Sequence, residues 1–188
     1  SLKEELPKKK KINILEPSCG TLQFVDKIRE KYPNSNITGI EIDTDIYNLI
    51  KSINNKNKII NANFLDYQFT EKFDAIIGNP PYFEFKLNTK LKEEYKEVIS
   101  GRVNIYTLFI KKSIDLLKPN GKLIFVIPTS LLTSKYFENI RKYIVKTCNI
   151  TRIEILNCDN FQDALQQTMI LCLERLELNI NDNKYILK

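Results

Sequence analysis

The chain alternates short runs of apolar residues with longer segments in which apolar residues recur every three or four positions. Short apolar runs bounded by turn residues are typical of buried strands, and the longer pattern is typical of helices that cover a sheet. The predicted strands are, in chain order, 12–15, 37–42, 58–61, 73–78, 122–127, 152–156 and 168–173, and the predicted helices are 22–32, 44–53, 105–117 and 135–145. This order predicts an α/β fold, with a mostly parallel seven-stranded sheet and helices on both faces.

Polar segments and turn residues separate these elements. Residues 83–101 are charged and irregular, which predicts a loop with room for one helical turn. The tripeptide Pro119-Asn120-Gly121 predicts the end of the preceding helix, and Asp43 or Thr44 is suited to cap the helix over 44–53. We divide the chain into a basic tail over 1–11, one catalytic domain over 12–178, and a tail or the start of a linker over 179–188.

Composition and charge limit the chemistry. The chain has no histidine, which excludes Ser-His-Asp triads, Cys-His nucleophiles and histidine metal ligands. None of the 4 cysteines has CxxC spacing, so we predict reduced thiols and no metal site. No apolar run approaches the ~20 residues of a membrane span, and we predict a cytoplasmic or nucleoid-associated protein with no membrane partner. The net charge of +6 favours a partner with a phosphate backbone, although the lysine run near the start is also typical of a solvated tail.

The first candidate site is the turn from Glu16 to Gly20 (EPSCG), between the first predicted strand and the first predicted helix. In an open parallel sheet, ligands bind beyond the carboxyl ends of the strands, and small residues there let the backbone approach a ligand closely. The turn lacks the GxGxxG pattern, and the carboxylate of Glu16 disfavours a phosphate. It suits the ammonium group of a methionine moiety better.

The end of the second predicted strand carries Glu41-Ile42-Asp43, and Glu41 lies 21 positions after Gly20. An acidic residue about twenty positions beyond such a turn commonly accepts hydrogen bonds from ribose hydroxyls. NAD-dependent enzymes share this pairing, and Glu41 and Asp43 could instead cap the next helix. These residues are therefore compatible with a nucleoside cofactor and also with a simple helix cap.

The most informative stretch is Asn79-Pro80-Pro81-Tyr82, directly after the fourth predicted strand. Two prolines hold the adjoining backbone rigid, so a carbonyl there points in a defined direction. The side-chain oxygen of Asn79 and the Pro80 carbonyl oxygen can each accept a hydrogen bond from one N–H group of an exocyclic amine. This favours a tetrahedral nitrogen with a free lone pair. This would stabilise the transition state without a general base, and the Tyr82 ring could stack on a planar base. The alternative is a turn with no chemical role.

These motifs resemble those of the gamma-class, TaqI-like N6-adenine DNA methyltransferases over residues 12–174. Gly78 to Tyr82 resembles the family's catalytic motif, 15–20 its first cofactor motif, and 39–43 its second. Residues 62–65 resemble a third, with Asn63 where the family usually has Asp. The stretches 101–106 and 117–121 are similar to segments that follow in the family. The resemblance implies the Rossmann-like class I methyltransferase fold, S-adenosylmethionine as cofactor, and DNA whose target adenine is flipped out of the helix.

The resemblance also implies a role for each candidate residue. The predicted cofactor-binding residues are Glu16, Pro17, Ser18, Cys19, Gly20, Glu41, Ile42, Asn63, Phe64, Asn79 and Phe109. The predicted catalytic residues are Asn79, Pro80, Pro81 and Tyr82, and Tyr82 and Phe161 are predicted to stack on the target base. The alternative for Phe161 is simple core packing.

Two departures from the family pattern shape the expected partners. Residues 1–11 do not resemble the family's upstream cofactor segment, and the chain has no stretch long enough for a separate DNA-recognition domain. We therefore expect the rest of the native chain or a partner subunit to supply sequence recognition. The alternative functions are RNA adenine methylation, protein glutamine methylation, and a non-catalytic module that binds nucleic acid or a partner.

Overall fold

A computed structural model describes residues 11–53, 56–156 and 167–177. Its strands form a single sheet in the order β3-β2-β1-β4-β5-β7-β6. The strands are β1 (Asn13–Glu16), β2 (Asn36–Glu41), β3 (Lys58–Asn61), β4 (Phe73–Gly78), β5 (Leu117–Pro128), β6 (Cys148–Ile155) and β7 (Thr168–Arg175). The helices are α1 (Gln23–Lys31), α2 (Thr44–Ile53), α3 (Thr89–Glu94), α4 (Ile105–Leu116), α5 (Ser130–Thr133) and α6 (Glu138–Thr147), with a 3-10 turn over Lys135–Phe137.

The sheet is parallel from β3 to β5, and β7 runs antiparallel to both β5 and β6. Alternate residues of the central strands point to opposite faces, as Ile14 and Leu15 illustrate. Ile14 belongs to a core that includes Val25 and Ile28 of α1, and Leu15 belongs to a core that includes residues of α4 and α6. The prediction of a mostly parallel seven-stranded sheet with helices on both faces is therefore confirmed.

Some predicted boundaries are wrong. Strand β5 begins at Leu117, directly after α4, whereas the strand was predicted to begin at residue 122. The predicted turn residues 119–121 lie inside β5, where the register of its pairing with β4 shifts. Phe73 pairs with Leu117, but Ala75, two residues later, pairs with Lys122. Asn120 has a φ of 61°, so the predicted turn is present but the chain rejoins the same strand. Similarly, the last predicted helix begins as the 3-10 turn and α6 ends two residues later than predicted, and β6 begins at Cys148 rather than at residue 152.

The predicted loop over 83–101 is more regular than its polar sequence indicates. It contains α3, whose first turn is capped by the Asn88 side chain, which accepts a hydrogen bond from the Leu91 N–H at 2.9 Å. Leu91, Tyr95 and Val98 are buried in the core. These apolar residues anchor a segment that otherwise faces solvent.

In the described ranges, no helix is long and apolar enough to cross a membrane, and no group of three or more His, Cys, Asp or Glu side chains could hold a metal ion. Cys19, Cys148 and Cys172 are buried, and Cys158 lies outside the described residues.

Candidate active site

The turn after β1 is fastened to the neighbouring strand β2. The N–H of Cys19 donates to the carbonyl oxygen of Ile40 at 2.9 Å, and the N–H of Gly20 donates to Glu41 Oε2 at 2.9 Å. Gly20 has a φ of +46°, a conformation that favours glycine, and a Cβ atom added there would meet no other atom within 4 Å. The turn therefore leaves open space above its backbone, on the side where a ligand would approach.

Close packing between β2 and the turn depends on Gly39. A Cβ atom at this position would lie 2.9 Å from Cys19 Sγ, closer than real Cβ contacts. Burial, with Glu16 and Glu41 nearby, raises the pKa of the Cys19 thiol to about 12. The thiol is therefore protonated at neutral pH and fills space rather than acting as a nucleophile.

Glu16, the last residue of β1, is a buried carboxyl group at 1 % exposure. Its Oε2 has no hydrogen-bond partner among the described residues. Burial raises the pKa of Glu16 to about 8, partly offset by the backbone N–H of Val25, with smaller contributions from Asp26 and Glu41. A buried acceptor without a partner is unusual in a folded protein, and it is suited to a cationic group that would arrive with a ligand.

Glu41 ends β2 and uses both carboxylate oxygens for backbone contacts. Oε2 accepts from Gly20, and Oε1 accepts from the N–H of Asp43 at 2.8 Å. Each carboxylate oxygen has a second lone pair, so Glu41 can still accept hydrogen bonds from a ligand. Asp43 is the residue that caps α2, through Oδ1 contacts of 2.9 and 3.0 Å with the N–H groups of Asp45 and Ile46. Next to Glu41, the apolar side chain of Ile42 is 66 % exposed.

The predicted residues Asn63, Phe64 and Phe109 also meet at this edge. The rings of Phe64 and Phe109 lie 4.8 Å apart between centroids, and both are buried. The Asn63 side chain is engaged locally: Oδ1 accepts from the N–H of Leu65 at 3.1 Å and Nδ2 donates to Asp66 at 2.7 Å. Asn63 therefore shapes the loop after β3, whatever it contributes to a ligand.

One residue of this region was missed by sequence reasoning. The Lys112 ammonium donates to the carbonyl oxygens of Leu65 and Tyr67, both at 2.8 Å, and lies 5.3 Å from the centroid of the Phe64 ring. Burial lowers the pKa of Lys112. The one available signal was a pair of adjacent lysines, Lys111 and Lys112, in the middle of a largely apolar helix.

Asn79 follows β4 directly and is exposed, whereas Pro80 is buried. The Ser18 hydroxyl donates to the backbone carbonyl oxygen of Asn79 at 3.2 Å. A Cβ atom at Gly78 would lie 3.4 Å from the Pro17 ring. The Glu16–Gly20 turn and the Asn79–Tyr82 motif are thus in direct contact, because β1 and β4 are neighbours in the sheet.

Tyr82 points back towards the sheet. Its hydroxyl lies 2.6 Å from the carbonyl oxygen of Val126 and also contacts Asn79 Oδ1. The edge of its ring packs against Tyr106, with centroids 6.1 Å apart and an interplanar angle of 90°. Burial raises the pKa of Tyr82, so its hydroxyl keeps its proton. Val126 carries no sequence motif, and Tyr106 ends the stretch 101–106 that resembles a family segment, but only the structure brings both residues to Tyr82. The other predicted stacking residue, Phe161, lies outside the described residues.

The sheet order, with an antiparallel β7 between β5 and β6, is that of class I S-adenosylmethionine-dependent methyltransferases. A protein from Listeria monocytogenes described as such a methyltransferase is similar to 99% of this chain with a TM-score of 0.82 and 22% sequence identity, and the match covers 60% of that protein. The predicted fold class is therefore confirmed.

Residues 8–161 match the Eco57I restriction-modification methylase family, and the chain belongs to this family. The Type II methyltransferase M.CvrRI of Paramecium bursaria Chlorella virus XZ-6E is 36% identical over 92% of this chain and 45% of its own length. Modification methylase CviBIII of Paramecium bursaria Chlorella virus NC1A is 37% identical over 81% of this chain and 40% of its own length. The chain spans less than half the length of these curated relatives. The predicted membership of a DNA methyltransferase family and the predicted cofactor, S-adenosylmethionine, are thereby confirmed.

The residues at the carboxyl edge fit this cofactor. The unpartnered carboxyl oxygen of Glu16 matches an ammonium group, and the remaining lone pairs of Glu41 match ribose hydroxyls. Gly20, whose N–H donates to Glu41, has open space beside its Cα atom. The exposed Ile42 offers an apolar surface of the kind that an adenine ring covers.

Proposed function

We propose that this chain is the catalytic part of an enzyme that methylates the exocyclic N6 amino group of adenine in DNA. One contact carries the proposal: the hydrogen bond of the Ser18 hydroxyl to the backbone of Asn79. Ser18 belongs to the turn that we assign to the cofactor, and Asn79 belongs to the motif that we assign to the amine. Methyl donor and methyl acceptor would therefore meet across this contact. The family and the net charge of +6 favour DNA as the substrate.

S-adenosylmethionine, when bound, supplies an electrophilic methyl group on its sulfonium sulfur. We assign the methionine ammonium to Glu16 and the ribose hydroxyls to Glu41. We assign the adenine ring to Ile42 and to the pair of Phe64 and Phe109, whose rings lie 4.8 Å apart. Pro17, Ser18, Cys19, Gly20, Asn63 and Asn79 complete the predicted cofactor site.

The acceptor nitrogen must be freed from conjugation with its ring before it can attack. Asn79 Oδ1 and the Pro80 carbonyl oxygen would each accept a hydrogen bond from one N–H group of the target amine. These two hydrogen bonds direct the nitrogen lone pair towards the methyl group. Pro80 and Pro81 hold this geometry, because their rings restrict the backbone. A new N–C bond forms, the S–C bond breaks, and one amine proton passes to water. No general base is required, which agrees with a chain that has no histidine.

A paired adenine cannot reach such a site, so the target base would be flipped out of the duplex. Tyr82 and Phe161 are the proposed stacking partners of that base. Sequence recognition is assigned to the rest of the native protein or to a partner subunit, because the chain corresponds to less than half of its curated relatives.

The test is transfer of radiolabelled methyl groups from S-adenosylmethionine to DNA, RNA and a release factor, with the wild type and Asn79→Ala side by side. Label on DNA adenine that disappears in Asn79→Ala, with cofactor affinity largely retained through the other residues of the cofactor site, supports the proposal. Label on RNA or on glutamine would keep the mechanism and replace the substrate. A protein that neither transfers label nor gains thermal stability from S-adenosylmethionine would be a non-catalytic module.

A further inference from the structure

The chain leaves the catalytic motif through a short antiparallel ladder. Residues 83–85 pair with residues 103–105 through backbone hydrogen bonds of 2.8 and 3.0 Å and a bridge between Glu84 and Asn104. Residue 105 begins α4, whose Tyr106 contacts the Tyr82 ring. The ladder therefore fixes the backbone directly after the catalytic motif against the helix that supports it.

Phe83 is an exposed aromatic residue on this ladder. Its side chain is 50% exposed, and its ring lies 6.2 Å from the half-buried ring of Phe85. Tyr82, by contrast, contacts Val126 and Tyr106. A base stacked on Tyr82 would therefore not occupy the surface formed by the two phenylalanines.

Phe85 forms part of the wall of a cavity of about 490 Å³, which we call the flanking cavity. Phe83 does not line this cavity, but its ring lies beside that of Phe85. The size of the flanking cavity lies within the roughly 300–1,000 Å³ that is typical of small-molecule sites. Its walls combine an apolar surface with a basic rim. They are formed by Phe85, Leu87 and Val103, by Lys86, Lys92 and Arg102, and by Glu84 and Gly101.

The charge of the flanking cavity is unbalanced. Among the described residues that line it, Glu84 is the only one with a carboxylate, and this carboxylate lies 3.3 Å from Arg102. Lys86 and Lys92 are exposed and make no ion pair within the described part of the chain. Two ammonium groups beside an aromatic surface are the combination that proteins use for single-stranded nucleic acid, in which the phosphate meets the cations and the base stacks on the ring.

We propose that the flanking cavity binds an unstacked nucleotide of the nucleic-acid substrate, next to the nucleotide that is methylated. Its base lies against Phe83 and Phe85, and its phosphate lies near Lys86 and Lys92. This inference rests on the proposed function for the identity of the substrate. It adds a second nucleotide subsite, separate from the surface that we assign to the target base.

A photo-crosslinking experiment tests the subsite directly. The probe is a single-stranded oligonucleotide with 5-iododeoxyuridine on either side of an adenine, bound to the wild-type protein and irradiated. Tandem mass spectrometry is expected to assign a crosslink to Phe83 or Phe85. Crosslinks confined to Tyr82, or an oligonucleotide that does not bind, would overturn the inference.

Substitutions give a second, independent measurement. Phe83→Leu keeps an apolar side chain but removes the ring, and it should weaken oligonucleotide binding by about 5- to 100-fold, the contribution of one stacking contact. Val145→Ala, which removes an apolar side chain that is 66% exposed on α6, is the control. Equal affinities for the wild type and Phe83→Leu would contradict the proposal. Both side chains are largely exposed, so the melting temperatures should stay the same.

The rim lysines are tested by the dependence of binding on salt. Lys86→Gln and Lys92→Gln should each reduce the slope of log affinity against log salt by about 0.7, the value for one phosphate contact on a single strand. Lys31→Gln is the control, because Lys31 is an exposed lysine at the end of α1 and does not line the flanking cavity. It should leave the slope unchanged. An unchanged slope in all three variants would remove the phosphate contact from the proposal.

Methyl transfer by the wild type, measured in parallel, separates the two proposals. Transfer to DNA without a crosslink at Phe83 or Phe85 would remove the flanking subsite alone. A crosslink at either residue without methyl transfer would keep the subsite and remove the proposed function.

Discussion

The hydroxyl of Tyr82 lies 2.6 Å from the backbone carbonyl oxygen of Val126, near the end of β5. The same hydroxyl contacts the side-chain amide of Asn79. A hydroxyl has one proton to donate, and a carbonyl oxygen can only accept. If Tyr82 donates to Val126, the Asn79 amide makes a favourable contact only by turning its NH₂ group to the Tyr82 oxygen. That orientation directs Asn79 Oδ1 away from the Tyr82 hydroxyl and leaves it available to the target amine.

This relationship predicts a selective effect of Tyr82→Phe. The ring remains, so the apparent affinity for DNA and for the cofactor should not change. The maximal rate of methyl transfer should fall about 2- to 12-fold, because one net hydrogen bond contributes about 0.5–1.5 kcal/mol. Steady-state kinetics separate the two effects. Tyr136→Phe, at a residue that is 51% exposed, is the matched control, and a Tyr82→Phe variant with wild-type rate would show that the hydroxyl does not orient Asn79.

Glu16 predicts a pH dependence of cofactor binding. Its pKa of about 8 means that the carboxyl group is mostly protonated at pH 7, and an ammonium group beside it would favour the ionised form. Binding should therefore release a proton near pH 7, and affinity should rise with pH up to about 8. Calorimetry in buffers of different ionisation enthalpy measures the released proton. Glu16→Gln should bind without proton release, Glu30→Gln should behave as the wild type, and equal proton release in Glu16→Gln would exclude Glu16 as its source.

The same group predicts how stability changes with pH. A carboxyl group whose pKa is raised on folding stabilises the folded state below its unfolded pKa of about 4.3, and that contribution is lost as the pH rises towards about 8. The melting temperature of the wild type should therefore fall relative to that of Glu16→Gln over this interval. A constant difference between the two proteins would contradict the raised pKa.

Glu41→Ala should weaken cofactor binding by two routes. It removes the proposed partner of the ribose, and it leaves the N–H groups of Gly20 and Asp43 without their acceptor. Titration calorimetry with S-adenosylmethionine measures the loss. Glu41→Gln keeps one oxygen for the turn and should bind better than Glu41→Ala. Unchanged affinity in Glu41→Ala would refute the ribose assignment.

Gly39→Ala should disturb the cofactor turn although Gly39 itself lies in β2. The new methyl group would lie 2.9 Å from both Cys19 Sγ and Ile59 Cδ1, and overpacking of this kind typically costs about 1–3 kcal/mol. We expect a lower melting temperature and weaker cofactor binding. The double variant Cys19→Ala/Gly39→Ala should recover part of the affinity, because it removes one of the two close contacts. No recovery would place the disturbance at Ile59 instead.

The local sequence predicted the elements and the positions of the motifs. Apolar runs and turn residues depend on near neighbours, which is why β3, β4 and α2 have the predicted bounds and why Asn79 follows a strand as expected. Long-range packing altered the other bounds. Leu91 and Tyr95 anchor α3 in a polar segment, and pairing with β4 extends β5 through a predicted turn.

By itself, the sequence determined the α/β class, the run of motifs after successive strands, and the absence of imidazole chemistry. Only the tertiary structure decided which groups of the candidate site touch. The sheet order sets β1 between β2 and β4, and so brings Gly20 to Glu41 and Ser18 to Asn79. Burial likewise decided that Glu16 holds its proton near neutral pH and that Tyr82 turns towards Val126. Desolvation and contacts between distant residues depend on how the whole chain packs, and no short stretch of sequence encodes them.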